Sequence, residues 1–209
     1  MKTLFIPAKV SMEINEKKIS SLKPPQNLAI AYSIQYKETA SKIKEILSKS
    51  HDITSFVQVL GCSAPKFPKQ TEAVLLISSG KFHGVSLAVE TNLPIYIWEG
   101  NELIKISEGE IESLRKRRKA AYLNFLNSEK IGILISTKPG QENLKKAISL
   151  KSAAKSKKSY LFIANDINIR EFENFGINSW VNTACPRMDF DSSIINLGSL
   201  NFRNTKNVL

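Results

Sequence analysis

Two halves of the sequence carry the same order of elements, and this internal repeat constrains the fold more than any other feature. Each half has a short apolar run that ends in a serine, Ser33 or Ser136, and then a lysine-rich segment with helical spacing. A later apolar run in each half ends in a small residue followed by a cysteine, Cys62 or Cys185. Alternating β and α units of this length favour a parallel sheet with helices on both faces. The sequence therefore predicts an α/β fold of two repeated Rossmann-like lobes with parallel sheets.

The repeat predicts two domains, residues 1–107 with Cys62 and residues 108–209 with Cys185. A long basic helix over residues 108–127 is expected to bridge them. Apolar runs and helical periodicity indicate the other elements. Strands are predicted at residues 4–6, 28–33, 56–60, 73–78, 94–98, 131–136 and 160–164 and in the run up to Cys185, and helices at residues 36–50, 82–91, 141–156 and 169–175.

The formal net charge of +11 raises the question of a nucleic-acid partner, because clustered Lys and Arg neutralise phosphates. The excess is almost all lysine and runs through helices and loops, which is typical of a compositional bias. Residues 115–119, Arg-Lys-Arg-Arg-Lys, form a true cluster. We interpret it as a solvated helix face or a protein-docking surface rather than a nucleic-acid site. A positive field of this kind could equally steer an acidic protein partner.

The sequence contains no candidate membrane span. Its longest uninterrupted apolar run, residues 73–77, is far shorter than the roughly 18–20 residues that cross a bilayer. The first apolar stretch stops at Pro7, too early for a signal peptide. We therefore expect a cytoplasmic protein without a membrane partner.

Cys62 and Cys185 are the two cysteines of the chain. They lie too far apart in the sequence to form a CxxC site, and a structural disulfide is disfavoured in a cytosolic protein. By spacing alone, two inert buried thiols are favoured over two metal ligands.

Several polar residues follow the carboxyl ends of predicted strands: Ser33, Cys62, Ser79, Ser136 and Cys185. In parallel α/β sheets, ligands bind beyond the carboxyl ends of the strands. The repeat therefore places these scattered residues at one plausible cleft.

Two loops at these strand ends, residues 78–84 and 136–141, join a strand to a helix through glycines or a Pro-Gly pair. Backbone N–H groups at a helix N-terminus can hold a phosphate or carboxylate, but a plain turn fits these residues equally well. The second loop lacks the GxxxxGK[ST] pattern of a P-loop. No Ser-His-Asp, HExxH or paired-carboxylate motif is present, so ordinary acid–base chemistry is poorly supported. Cysteine-held metal chemistry remains.

Six short motifs, taken together, resemble the archaeal-type diphthamide-synthesis enzyme, the 3-amino-3-carboxypropyl transferase family. They occur in the same order and in comparable loops, and they extend over nearly the whole chain. The resemblance covers only the second and third of the family's three domains. The motifs are Phe5-Ile6-Pro7-Ala8, Ile34-Gln35-Tyr36, Val59-Leu60-Gly61-Cys62, Ser79-Gly80-Lys81-Phe82-His83, Ser136-Thr137-Lys138-Pro139-Gly140-Gln141 and Asn182-Thr183-Ala184-Cys185-Pro186-Arg187.

The resemblance implies a non-classical radical enzyme. In the family, each of three Rossmann-like domains gives one cysteine to a shared [4Fe-4S] cluster whose open iron binds S-adenosylmethionine. Reductive cleavage then yields a 3-amino-3-carboxypropyl radical, which adds to a histidine of translation elongation factor 2 in the first step of diphthamide formation. Methylthioadenosine is the other product.

The resemblance also implies roles for individual residues. Cys62 and Cys185 match the second- and third-domain cysteines that bind the cluster. A further set of residues falls in motifs that face the same cleft, and the resemblance assigns this set to S-adenosylmethionine: Gln35, Ser79, Gly80, His83, Thr137, Gly140, Gln141 and Arg187.

One family feature has no counterpart in the sequence, namely the first domain with its cysteine. Three cysteines leave one iron open for S-adenosylmethionine, whereas two leave the cluster labile. We therefore expect a separate polypeptide to supply the first domain and the third thiol. Whether the chain forms a homo- or hetero-oligomer stays open.

Two alternative functions are compatible with the same motifs. The chain could be a non-catalytic scaffold or an electron-delivery subunit of a diphthamide-synthesis complex. Quinolinate synthase, which also arranges three domains around a three-cysteine cluster, matches the motifs less well.

Overall fold

The structure is a computed structural model that describes residues 4, 6, 8–10, 12–20, 23–60, 65–99, 101–191 and 194–200. It separates into two compact units, Met1–Leu114 and Arg115–Leu209. The division falls inside the helix Glu108–Asn127, whose two ends coincide with the bounds predicted from the sequence.

Unit 1 is built on a five-stranded sheet. Its first four strands in the chain run parallel, with the first between the second and the third, and the fifth strand pairs antiparallel at the edge. The spatial order is β2-β1-β3-β4-β5. The elements are α1 (Glu16–Ser20), β1 (Asn27–Tyr32), α2 (Lys37–Leu47), β2 (Asp52–Gln58), β3 (Ala73–Ile77), α3 (Lys81–Thr91), β4 (Ile95–Glu99) and β5 (Glu102–Lys105), with a 3-10 helix at Ile34–Tyr36.

The central strands of unit 1 are buried on both faces. From Leu28 onward β1 is fully apolar and buried, and so is the whole of β3, as expected for parallel strands covered by helices. Helix α2 places Ala40, Ile43 and Leu47 on one of these faces, one turn apart. The apolar spacing of the sequence therefore determines both the strand and the helix that covers it.

Unit 2 repeats this arrangement with a four-stranded sheet in which all pairs are parallel. The spatial order is β7-β6-β8-β9, so the first strand again lies between the second and the third. The elements are α4 (Glu108–Asn127), β6 (Lys130–Ser136), α5 (Leu144–Ala153), β7 (Lys158–Ala164), β8 (Ser179–Asn182), α6 (Met188–Asp191) and β9 (Ile195–Asn196), with 3-10 helices at Ile169–Phe175 and Leu197–Ser199. The predicted α/β fold of two repeated lobes is confirmed.

The two faces of the unit 2 sheet are packed differently. Ile131, Ile133 and Ile135 of β6 point to one face, where side chains of α4 and α5 complete a hydrophobic core. The opposite face carries an aromatic cluster in which Trp180 of β8 lies 4.8 Å from the ring centre of Phe162. Gly132 of β6 lies beneath that indole ring, since a Cβ at this position would meet it at 2.2 Å. A glycine is therefore required for the close approach of strand and ring.

Several sequence predictions differ from the structure. The strand expected at residues 4–6 is absent from the described residues of that segment: Leu4 and Ile6 are 82% and 80% exposed and pair with no strand. The strand expected at residues 56–60 is β2, which begins earlier, at Asp52. The short strands β5 and β9 were not predicted. No helix among the described residues has both the length and the apolar character that spanning a membrane requires.

We expect Gly132→Ala to destabilise the chain by about 1–3 kcal/mol, because the added methyl group overpacks a closed interface. The indole ring cannot simply move aside, since Phe162 and Phe172 pack against it. Urea denaturation measures the change. Gly109→Ala in α4 is the control, because a Cβ there meets nothing within 4 Å. Equal stability of the two variants would contradict this account of the packing.

Candidate functional site

Cys185 lies in the loop that follows β8, at the carboxyl end of the unit 2 sheet where the sequence predicts it. Its side chain is partly exposed and forms no disulfide with any residue that the structure describes. Thr183 extends the pairing beyond the strand end, because its N–H and its hydroxyl both donate to the carbonyl of Leu134, at 3.1 and 2.8 Å. The thiol is therefore carried on a short segment fixed to the central strand.

A buried amide side chain holds the cysteine loop. Asn182 is 2% exposed, and its Nδ2 donates to the carbonyl oxygen of Cys185 at 2.8 Å while its Oδ1 accepts from the backbone N–H of Ala184, also at 2.8 Å. The remaining Nδ2 hydrogen is donated to Oδ1 of Asn196 at 2.7 Å. Each polar group of this side chain is satisfied, as burial requires.

Asn196, on β9, completes the support from the neighbouring strand. It is 8% exposed, and its Nδ2 donates to the carbonyl oxygen of Pro186 at 2.9 Å. The two amides thus bind the backbone on both sides of the cysteine. Buried, fully paired polar networks restrict conformation, so the loop geometry is set by the protein before any ligand arrives.

A cavity of about 350 Å³ opens next to this loop, within the size range of small-molecule sites. It lies where the loops after β6, β7 and β8 meet, beyond the carboxyl ends of the strands. Three of the predicted site residues, Gln141, Cys185 and Arg187, line it. The full lining is Ser136, Lys138, Gln141, Asn165, Asp166, Ile167, Ala184, Cys185, Arg187 and Met188.

The other two predicted residues of unit 2 lie in the same β6–α5 loop but not in the cavity lining. Thr137 and Gly140 are exposed, and the N–H of Gln141 donates to the carbonyl of Lys138 at 3.0 Å to close the turn. Gly140 has φ of +80°, a left-handed conformation that favours glycine. Gly140 shapes the turn that places Gln141 at the cavity.

An ion pair joins two of the cavity loops. Nζ of Lys138 is hydrogen-bonded to Oδ1 of Asp166, and this bond from Lys138 lowers the pKa of the Asp166 carboxyl below its usual value. Ser136 reinforces the connection, since its hydroxyl donates to the carbonyl of Asn165 at 3.1 Å. The cavity therefore presents a neutralised pair beside the partly exposed thiol.

In unit 1, Gln35 lies apart from the other predicted residues. It is exposed in the 3-10 helix after β1 and lines a mainly apolar cavity of about 570 Å³, together with Lys9, Ile34 and Glu38 among others. Ser79, Gly80 and His83 follow the next strand, β3, and are not part of that lining. The structure thus places these four residues at the ends of two neighbouring strands.

The turn after β3 contains two polar features. Gly80 has φ of +78°, and its N–H donates to Oε1 of Glu99 at 3.2 Å, so a carboxylate of the chain itself caps the start of α3. The hydroxyl of Ser78 is buried and has no hydrogen-bond partner in the described part of the protein. Leaving a buried hydroxyl unpaired costs about 1–3 kcal/mol, which marks this strand end as a place where a ligand group or water would be stabilised.

Cys62 lies outside the described residues, as do its neighbours at positions 61, 63 and 64. Its predicted meeting with Cys185 at one cluster therefore stays a prediction. Among the residues that the structure describes, no group of three or more His, Cys, Asp and Glu side chains could hold a metal ion. The binding of a cluster by Cys185 likewise stays a prediction.

Sequence reasoning missed several residues of the site. Asn182 stands in the motif that contains Cys185, but no spacing rule shows that its amide binds the loop. Asn165 and Asp166 follow β7, and the same strand-end argument that selected the serines could have found them. Asn196 gave no signal, because its strand is two residues long.

A family model for diphthamide synthesis proteins matches residues 1–194. The chain belongs to the diphthamide synthesis protein family. Membership favours the resemblance noted in the sequence over the quinolinate synthase alternative.

Two relatives within the family are matched over only part of their length. A 2-(3-amino-3-carboxypropyl)histidine synthase of Pyrococcus horikoshii is 30% identical over 136 residues, which cover 64% of this chain and 40% of the relative. Subunit 1 of the human 2-(3-amino-3-carboxypropyl)histidine synthase is 21% identical over 180 residues, covering 80% of this chain and 41% of the relative. The aligned segments therefore cover less than half of each of these two relatives.

Solved structures show the same fold. A crystal structure of Dph2 from Pyrococcus horikoshii superimposes with a TM-score of 0.71 at 24% identity, covering 82% of this chain and 55% of that one. A second crystal structure of that protein, with a 4Fe-4S cluster, gives a TM-score of 0.68 at 25% identity and the same coverage.

We expect Asn182→Ala to lower the free energy of unfolding by about 2–4 kcal/mol, because it leaves several buried groups of the cysteine loop without partners. Alkylation of Cys185 should also become faster, since the loop loses its restraint. Urea denaturation and peptide-level mass spectrometry after timed iodoacetamide treatment measure the two effects. Asn124→Ala is the control, because it removes a single exposed bond, 2.9 Å long, to the carbonyl of Asn178. Unchanged alkylation in Asn182→Ala would show that the amide does not restrain the loop.

Proposed function

We propose that this chain is part of an enzyme with a [4Fe-4S] cluster that transfers the 3-amino-3-carboxypropyl group of S-adenosylmethionine to a histidine of translation elongation factor 2. This reaction is the first step of diphthamide synthesis and would take place in the cytoplasm. The observation that carries the proposal is the position of Cys185, a partly exposed thiol on a fixed loop beside a cavity. Family membership supplies the class of reaction.

The residues around Cys185 fit a cluster ligand. Cysteine thiolates are the usual ligands of iron–sulfur clusters. The thiol is accessible, forms no disulfide with a described residue, and its backbone is held by two buried amides rather than by the metal. When bound, the cluster would supply the electron that cleaves S-adenosylmethionine. In this proposal Cys62 is the second ligand, and the third comes from outside the 209-residue sequence.

The cavity residues would hold and orient S-adenosylmethionine. Arg187 is exposed at the cavity and could bind the carboxylate of the methionine group, since a guanidinium forms paired hydrogen bonds with carboxylates. The amide of Gln141 can both donate and accept, which suits a ribose or an amino group. Lys138 and Asp166 neutralise each other, so they would close one side of the site without attracting a second anion.

The unit 1 residues enter the proposal as a second group of contacts. Ser79, Gly80 and His83 would face S-adenosylmethionine from the end of β3, with Gln35 from the end of β1. The unpaired hydroxyl of Ser78 adds a further candidate at the same strand end. Thr137 and Gly140 would act through the shape of the β6–α5 loop.

The proposal predicts that Cys185→Ser prevents cluster assembly. The full chain would be mixed anaerobically with a polypeptide that supplies the family's first domain, and iron and sulfide would be added. We expect about four irons per complex for the native chain and background iron for the variant, because serine is a poor ligand for this cluster. Bound iron, visible absorption and release of methylthioadenosine are the measurements.

The control keeps the number of thiols constant. In Cys185→Ser/Ser152→Cys the thiol moves to an exposed position on α5, and cluster assembly should stay lost. Full iron binding by Cys185→Ser would overturn the proposal. Native iron content and native turnover in that variant would instead support the scaffold or electron-delivery alternative.

A further inference from the structure

The net positive charge of the chain is concentrated in one unit. Residues 115–209 contain 17 Lys and Arg against 7 Asp and Glu, whereas residues 1–114 contain 13 against 12. The lysines are divided almost evenly, 13 against 11, so the difference comes from the six arginines, all in residues 115–209, and from the smaller number of acidic residues there. A charge asymmetry between two halves of a chain indicates an interaction surface.

Helices α4 and α5 cover the same face of the unit 2 sheet. Ala121 and Phe125 of α4 and Ala147 and Leu150 of α5 belong to one core cluster with the isoleucines of β6. The outward sides of both helices therefore form one side of the unit. A partner that binds unit 2 on this side would contact the outward side chains of α4 and α5.

This side is basic and almost free of acidic residues. Neither residues 115–128 nor residues 143–164 contain Asp or Glu, and Glu142 is the acidic residue nearest to the start of α5. The acidic residues of α4 all precede Leu114. Five basic residues near the start of these two acid-free segments are exposed: Arg115, Lys116, Lys119, Lys145 and Lys146. We call these five residues the basic surface.

The basic surface lies at the same end of the sheet as the cysteine loop. Nε of Arg118 on α4 donates to Oδ2 of Asp189 at 2.8 Å, and Asp189 belongs to the short helix α6 after Cys185. On the other helix, Nδ2 of Asn143, which precedes α5, donates to the carbonyl of Thr183 at 2.8 Å. The middle of α4 and the start of α5 thus both lie beside the loop that carries the thiol. A protein held on the basic surface would lie next to the cavity.

We propose that the basic surface docks an acidic surface of the protein whose histidine is modified. The inference rests on the proposed function, in which the reacting group is a side chain of a folded protein. Such a substrate must be held through contacts away from the reacting atom, and complementary charge increases the rate and accuracy of that encounter.

The same side is better suited to a protein than to RNA. Leu123, Leu144 and Ile148 are exposed among the basic residues, at 48%, 38% and 48%, and provide aliphatic contacts. Neither helix exposes an aromatic ring in unit 2, since Tyr122 is half-buried and Phe125 is buried. Stacking of bases on aromatic side chains, on which single-stranded RNA binding depends, is therefore not provided.

The test measures association of the full chain with unmodified archaeal elongation factor 2. Lys116→Glu/Lys119→Glu reverses two charges of the basic surface, and Lys155→Glu/Lys158→Glu makes the same change at the opposite end of the sheet. Stopped-flow rates would be recorded at about 50 mM and about 300 mM salt, because screening shortens the reach of the field. We expect the native rate constant to fall at least about tenfold with salt. The first variant should be about tenfold slower at low salt and nearly independent of salt, while the second stays within about twofold of native.

Thermal unfolding would establish that both variants are folded, and a labelled RNA oligonucleotide would be run in parallel. Equal rates for the two variants, or no association of the native chain with the factor, would overturn the docking proposal. So would charge-dependent binding of RNA without binding of the factor. None of these outcomes affects the cluster proposal, which is decided by iron content.

Discussion

The parallel pairing of β6 with both of its neighbours is the constraint on which the unit 2 site depends. Its register sets Leu134 beside Asn182 and Ser136 beside Ala164, so three strands end at the same edge of the sheet. The loops that follow them must then meet, although they are distant in the sequence. The position of the cavity, and of the thiol beside it, therefore follows from this pairing rather than from any local motif.

Neutral amide side chains hold the backbone of the cysteine loop, and their neutrality has a chemical consequence. A charged support beside the cysteine would alter the electrostatics of the thiolate, whereas Asn182 and Asn196 fix the backbone without adding net charge. An ion pair of the same loop, between Arg118 and Asp189, is directed toward α4. The loop is thus kept in place independently of the charge that any bound group would bring.

The fold could be predicted in outline because its central strands are buried on both faces and read as apolar runs. Edge strands carry no such signal. Strand β5 reads Glu-Leu-Ile-Lys and forms by pairing back on β4, the strand just before it, after a turn in which Asn101 has φ of +64°. Pairing with this neighbour, rather than the composition of β5, determines the strand. Conversely, Leu4 and Ile6 are apolar but exposed. A strand was predicted there because a local apolar pattern does not show whether a neighbouring strand is available for pairing.

The site was predictable to the extent that it follows from topology. Strand ends selected Cys185 and the loop of Gln141, and the family motif added Arg187. The hydrogen bond between the two amides could not be predicted from the sequence. Asn182 and Asn196 are 14 residues apart and meet only because β8 and β9 are adjacent in the sheet. Hydrogen bonds between side chains on different strands depend on register, which a single sequence specifies only weakly at such short strands.

The carboxylate of Glu99 at the start of α3 has a consequence for selectivity in unit 1. Because the N–H of Gly80 already has an anionic acceptor, an incoming anion would gain only the difference between its own bond and the one it displaces. Inorganic ions, which bring charge but few other contacts, would gain little from that exchange. A larger molecule that also reaches Ser78 would gain additional contacts, so this helix terminus would favour ligands by molecular size and shape rather than by charge alone.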